Sequence, residues 1–190
     1  MAKVYFKYST MGAGKTALAC ITAYKYEEQG LIPLCFSPLI DTRSGSPKTD
    51  KYGIKKGKWQ SRIEGLSREV FLVSPKSTII RLFTKISWLY KIKPDVIIID
   101  EVQFLKEEQI EELFKIAIYW DIPVICYGLL TDFKTRLFEG SKRLIELGAK
   151  LEHIKSISES GEGAVINAKF QNGKLITKGE TIDIGGNEKY

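Results

Sequence analysis

The sequence predicts an α/β protein: a mostly parallel sheet with helices on both faces, followed by a small β appendage. Three observations carry this. Strand-like and helix-like segments alternate through most of the chain. A glycine-rich turn joins the first strand to the first helix. The run DVIIID at 95–100 is continuously apolar rather than alternating, as a central strand buried on both faces requires.

Taken in order, KVYFKYS (3–9) reads as a strand entering the turn. A helix follows through about Gln29, with Gly30 as its C-terminal cap. IPLCFS (32–37) is a second strand. Residues 41–68 have few apolar side chains and many Gly, Lys and Ser, and are expected to form a long loop. VFLV (70–73) is a short third strand. Residues 77–90 set Ile79, Ile80, Leu82, Phe83, Ile86, Leu89 and Tyr90 at helical spacing. After DVIIID come an amphipathic helix at 107–120, a buried strand PVICYGL (123–129) and a helix at 141–147. Near Leu151 the character changes. AVINAKF (164–170) and KLIT (174–177) are strand-like, and Asn172-Gly173 offers a hairpin turn. The expected division is 1–152 for the α/β body and 153–190 for an appendage too short to fold alone.

The 190 residues suffice for one full core, and 44% hydrophobic with 27% charged residues is ordinary for a soluble globular chain. No apolar stretch reaches the roughly 18–20 residues that span a bilayer. The N-terminus lacks the apolar core and small-residue cleavage site of a signal peptide. The three cysteines, Cys20, Cys35 and Cys126, are scattered among apolar neighbours and read as reduced, buried thiols, which suggests cytoplasm. Of the net charge of +6, much is local: Lys48, Lys51, Lys55, Lys56, Lys58 and Arg62 lie in one segment. That segment is open to three readings: a solvated flexible loop, a mobile lid over an anionic ligand, or a nucleic-acid surface.

The chemistry begins at YSTMGAGKT (8–16). It fits the phosphate-binding pattern GxxxxGK[ST] with Ser9 in the first glycine's place. Such a loop turns backbone N–H groups inward, with Ser9, Thr10, Met11, Gly12, Ala13 and Gly14 forming the cradle. Gly12 and Gly14 permit the backbone angles and close approach. Lys15 supplies charge to the β and γ phosphates, Thr16 offers a hydroxyl to Mg²⁺, and the following helix aims its positive end at the same place. The second element is VIIIDE (96–101), where a buried strand ends in Asp100, positioned to hold magnesium directly or through water. Glu101 follows as a candidate general base. Together these predict a P-loop NTPase (RecA-like) sheet that binds ATP or GTP. They leave the acceptor open: water in an NTPase or a hydroxyl in a kinase. DEVQ (100–103) also has the look of a helicase box, although a helicase core needs two such domains. A P-loop ATPase acting on nucleic acid is therefore a second reading. A catalytically dead nucleotide sensor is a third, opposed by the joint presence of Lys15, Thr16, Asp100 and Glu101.

Five blocks in order narrow the choice: YSTMGAGKT, DTR (41–43), IDEVQF (99–104), YGLLTDFKTRLFEGS (127–141) and DIGGNEKY (183–190). They resemble the type II thymidine kinases of bacteria and animal cytosol over almost the whole chain, including a bacterial subgroup with serine first in the loop. The resemblance implies transfer of the ATP γ-phosphoryl to the 5′-hydroxyl of thymidine or deoxyuridine in nucleotide salvage. It also implies a homotetramer, feedback inhibition by dTTP, and no membrane or nucleic-acid partner. By motif, Thr16 and Asp100 match the magnesium positions, Glu101 the base, and Asp41 and Arg43 a D-x-R whose arginine meets charge near the transferred group. Met11, Phe104, Leu129, Phe133 and Phe138 match walls of the nucleoside pocket, with Gln103 also on the substrate side and Ser156 beside the base. TIDIGGNEKY (181–190) matches a C-terminal lasso loop that closes the pocket, bringing Thr181, Asp183, Ile184, Gly185 and Tyr190 to the nucleoside. One family feature is expected to be missing. Members usually bind a structural zinc, but Ser158 and Ser160 stand where two ligands belong, the sequence stops at Tyr190 before the other pair, and His153 cannot form a site alone. No zinc is expected, and the appendage must be held by packing or by a neighbouring subunit.

Overall fold

The computed structural model describes residues 2–40, 46–157, 161, 163–164, 166–171 and 174–176. The backbone order is β1 (Val4–Ser9), α1 (Lys15–Glu28), β2 (Pro33–Pro38), β3 (Lys48–Thr49), β4 (Lys55–Gln60), β5 (Ser67–Val73), α2 (Ile79–Tyr90), β6 (Val96–Ile99), a 3₁₀ turn (Val102–Phe104), α3 (Glu107–Tyr119), β7 (Val124–Leu129), α4 (Glu139–Glu146) and β8 (Lys150–His153). Short strands β9 (Ser156–Ile157), β10 (Gly163–Ala164), β11 (Lys169–Gln171) and β12 (Lys174–Ile176) follow. The main sheet has eight strands in the order β3-β4-β5-β2-β6-β7-β1-β8. From β5 to β8 all neighbours are parallel.

Period-2 alternation divides the core. On β6, Ile97 and Ile99 face one way, with Phe6, Phe36, Val124 and Cys126, against α2, α3 and α4. Val96 and Ile98 face the other way, with Cys35, Ile125 and Tyr127, against α1. The buried face of α1 is built from small side chains, Ala19, Cys20 and Ala23, so the helix lies close to the sheet, and Trp59 fills the space beside it. Helix α2 buries Ile79, Phe83 and Ile86, at i, i+4 and i+7. Its own N-cap residue, Thr78, makes no side-chain cap. The Glu112 carboxylate of α3 takes that place, accepting the N–H groups of Ile79 and Ile80.

Residues 46–68 correct the expectation of a long loop. β3 and β4 form an antiparallel pair, and β4 pairs antiparallel with β5, which starts at Ser67 rather than Val70. β4 reads KKGKWQ, and of these only Trp59 is buried, so no apolar alternation announces the strand. It is a charged edge of the kind that discourages unwanted pairing. Lys56 bonds to Glu69 at 2.8 Å and lies over the Phe71 and Tyr90 rings, while Asp50 accepts the Tyr90 hydroxyl. The expected basic loop at 48–62 is thus built into the sheet edge. β8 is a second element that the sequence hid: Lys150, Leu151, Glu152 and His153 are all exposed, yet they pair with β1. In the appendage β11 and β12 pair antiparallel, but β11 starts at Lys169 rather than Ala164, and the expected turn residues Asn172 and Gly173 lie outside the described residues. The three cysteines are buried and unbridged, and burial pushes the Cys20 thiol up to about 11. No helix among the described residues is long and apolar enough to cross a membrane.

Replacing Glu112 with Ala leaves the first N–H groups of α2 without an acceptor. Urea unfolding is expected to show a loss of about 1–2 kcal/mol, the usual worth of a helix cap.

Candidate functional site

The C-terminal ends of β1, β6 and β7 meet at one edge, where open α/β sheets bind ligands. β1 runs into the loop, and α1 starts at Lys15 directly after it. Gly12 and Gly14 take φ of 76° and 73°, left-handed values that favour glycine. At Gly14 a Cβ would meet nothing within 4 Å, so backbone angle and not crowding demands glycine there. Lys15 is buried, and its ammonium donates to the Thr10 carbonyl at 2.5 Å, spanning the loop mouth.

Thr16 donates its hydroxyl to Asp100 Oδ2 at 2.6 Å, and the Glu101 N–H donates to Asp100 Oδ1 at 3.0 Å. Asp100 is 2% exposed. Burial, reinforced by the Glu101 charge, pushes its pKa up to about 7, against the opposing pull of the Thr16 hydroxyl, the Glu101 N–H and Lys15. The pair fits a magnesium ion: both groups are hard oxygen donors, they touch, and a nearby dication would offset the cost of keeping Asp100 charged. Glu101 is 6% exposed and sits at φ 54°, ψ 37°, an uncommon conformation for a residue with a Cβ. It opens the 3₁₀ turn on which Gln103 is 2% exposed and Phe104 is half-buried.

On the neighbouring strand, Leu129 ends β7, and the chain folds back so that Ser141 Oγ donates to the Leu129 carbonyl at 2.6 Å. Asp132, absent from the sequence expectations, organises this return. Its carboxylate accepts the N–H groups of Lys134 and Arg136 at 2.8 and 2.9 Å, shaping the loop that carries Phe133 and Phe138, both buried. The signal was present in TDFKTR, since aspartate at such a place commonly closes a turn on the N–H two residues on. Phe104 and Phe138 meet edge to face, with ring centroids 5.9 Å apart.

Ser9, the odd residue of the loop, has a structural task. Its hydroxyl donates to the Ile154 carbonyl at 2.6 Å. Thr10 and Ser156 share a hydroxyl bond at 2.6 Å, and the Met11 N–H donates to Asn167 Oδ1 at 2.7 Å. The loop is thereby sewn to the appendage. Asn167 was not foreseen, and nothing in its neighbourhood marks it. His153 is exposed and stacks on Tyr8 at 5.2 Å. Asp41, Arg43, Ser158, Ser160, Thr181, Asp183, Ile184, Gly185 and Tyr190 lie outside the described residues. Among the described residues no group of three or more His, Cys, Asp or Glu is placed to hold a metal.

Two outcomes follow. Ser9→Gly restores the glycine usual at that slot but deletes the anchor to Ile154, and is expected to cost about 1 kcal/mol in urea unfolding. Asp100, raised to about 7 from an ordinary 3.8, keeps a proton that the unfolded chain has released. Its contribution therefore makes the protein lose stability as pH rises from about 4 to 7. Melting curves against pH should lose this component in Asp100→Asn.

A sequence model of the family described as "Thymidine kinase" matches residues 2–190. The thymidine kinase of Vibrio cholerae is 39% identical over 192 residues, covering 100% of this chain and 93% of that protein. That of Photorhabdus laumondii is 41% identical over 191 residues, covering 100% and 89%. Among solved structures, the replication initiator DnaA bound to AMPPCP and single-stranded DNA overlaps 81% of this chain and 40% of that one, with a TM-score of 0.45 and 20% identity. The family match and the full-length relatives agree: this chain belongs to the thymidine kinase family.

Proposed function

We propose that the protein transfers the γ-phosphoryl group of ATP to the 5′-hydroxyl of thymidine, giving dTMP, or of deoxyuridine, giving dUMP, in nucleotide salvage. The observation that carries the reading is the Thr16–Asp100 hydrogen bond with Glu101 next in the chain, on the sheet edge that also carries Leu129. In this reading the 5′ oxygen bonds to the γ phosphorus as the bond to the β–γ bridging oxygen breaks. ADP leaves, and the hydroxyl proton passes to the Glu101 carboxylate. Lys15 and the loop amides neutralise the donor phosphates, and helix α1 adds its positive end. Thr16 and Asp100 would hold a magnesium ion, which would supply positive charge to the donor phosphates.

The remaining roles rest on family membership. Asp41 and Arg43 lie near the transferred group. Met11, Phe104, Leu129, Phe133 and Phe138 line the nucleoside site, Ser156 sits beside the base, and Thr181, Asp183, Ile184, Gly185 and Tyr190 close over it. Inhibition by dTTP, a cytoplasmic homotetramer and a zinc-free appendage complete the reading.

The test is transfer of label from γ-labelled ATP to a panel of nucleosides. Label is expected on thymidine and deoxyuridine. Label released only as inorganic phosphate, stimulated by nucleic acid with steep salt dependence, would overturn the reading in favour of an ATPase acting on nucleic acid. Glu101→Gln should keep thymidine-induced thermal stabilisation yet lose about 10²–10⁴ in kcat, the usual worth of a general base.

A further inference from the structure

We infer that Gln103 is a positioning residue that holds Glu101 in its working orientation, and that its amide does so by spanning from Glu101 to the end of β7. The inference rests on the function proposed above. It assigns Gln103 a role through Glu101 instead of a contact with the nucleoside.

The Gln103 amide is committed at both ends. Nε2 donates to Glu101 Oε2 at 2.5 Å, and Oε1 accepts the Leu129 N–H at 3.1 Å. These partners fix which way the amide points. Turned over, it would set oxygen against carboxylate and N–H against N–H, losing both bonds. With only 2% of Gln103 exposed, water offers little substitute for a lost bond.

Glycines on two sides keep this turn where it is. A Cβ on Gly128 would come within 2.5 Å of Gln103 Oε1 and 2.9 Å of Val102 Cγ1. A Cβ on Gly140 would come within 2.6 Å of the Val102 carbonyl and 2.9 Å of the Leu105 carbonyl. Neither glycine has a positive φ, so both are present for close approach. Glu101 itself takes a left-handed backbone that the surroundings must impose. The backbone fixes where that side chain starts, and the Gln103 amide holds its carboxylate end. The same amide ties that carboxylate to the strand end carrying Leu129, so the proton acceptor and a wall of the acceptor pocket move as one piece.

The experiment is a double-mutant cycle on the full chain with thymidine and MgATP. Gln103→Met keeps length and removes the amide. It should lower kcat about 10–100-fold while both KM values stay within about twofold, since misplacement of a reacting group by around 1 Å costs that much. In a Glu101→Gln background the same change should cost less than about threefold, because the group it positions is already gone. Gly128→Ala displaces the amide without altering Gln103 and should show the same kcat loss and the same dependence on Glu101; it serves as the second variant should Gln103→Met fold poorly. A raised KM for thymidine at unchanged kcat would overturn the inference in favour of a substrate contact. Equal losses in both backgrounds would overturn it in favour of a structural role. If the wild-type chain labels no nucleoside but hydrolyses ATP, the proposed function fails, while the same cycle run on ATP turnover still decides whether Gln103 acts through Glu101.

Discussion

The hydrogen bond from Thr16 to Asp100 is the constraint around which the site is arranged. It joins the start of α1 to the end of β6, two strands' ends with β7 lying between them in the sheet. Parallel pairing sets its register: Phe6 and Ile99 both pair with Cys126, so β1 runs on past the end of β6 to Ser9 before the loop returns the chain to Lys15 and Thr16. The apolar body of β6 then delivers a carboxylate into a dry place, where its charge is costly unless a cation or a donor answers it. Thr16, the Glu101 N–H and Lys15 are that answer in the protein alone. What distinguishes this edge from an ordinary strand end is that burial raises the Asp100 pKa in spite of all three.

Elements with a strong apolar signature were legible in the sequence. β6 could be read from VIII and α2 from the spacing of Ile79, Phe83 and Ile86, because burial on such elements leaves few alternatives. The phosphate loop was legible because the chemistry demands particular residues at fixed spacing. Edge strands were not: β4 hides a single Trp59, and β8 buries nothing, so their pairing is decided by neighbours far along the chain. Within the site, Thr16 and Asp100 could be named and paired in advance. Gln103 could be named, but the destination of its amide could not. Asn167 could not be named at all, since an asparagine after an isoleucine between two short strands carries no pattern.

The odd serine in the loop acquires a reason from the fold. A glycine there would serve the phosphate cradle equally well, but it could not reach the Ile154 carbonyl. Together with Thr10–Ser156 and Met11–Asn167, this bond gives the appendage a polar attachment to the α/β body. Each bond is worth about 1 kcal/mol, and they act together only when all are made.

That seam also says something about birth on the ribosome. Ser9, Thr10 and Met11 are synthesised early, yet their partners stand 145, 146 and 156 residues further along. Domains begin to fold as they emerge at about 5–20 residues per second. The emerging chain therefore carries its phosphate loop for several seconds with none of these anchors, and the loop is secured only when Ile154, Ser156 and Asn167 arrive. A triphosphate gripped by the nascent loop would meet a cradle still missing one of its supports.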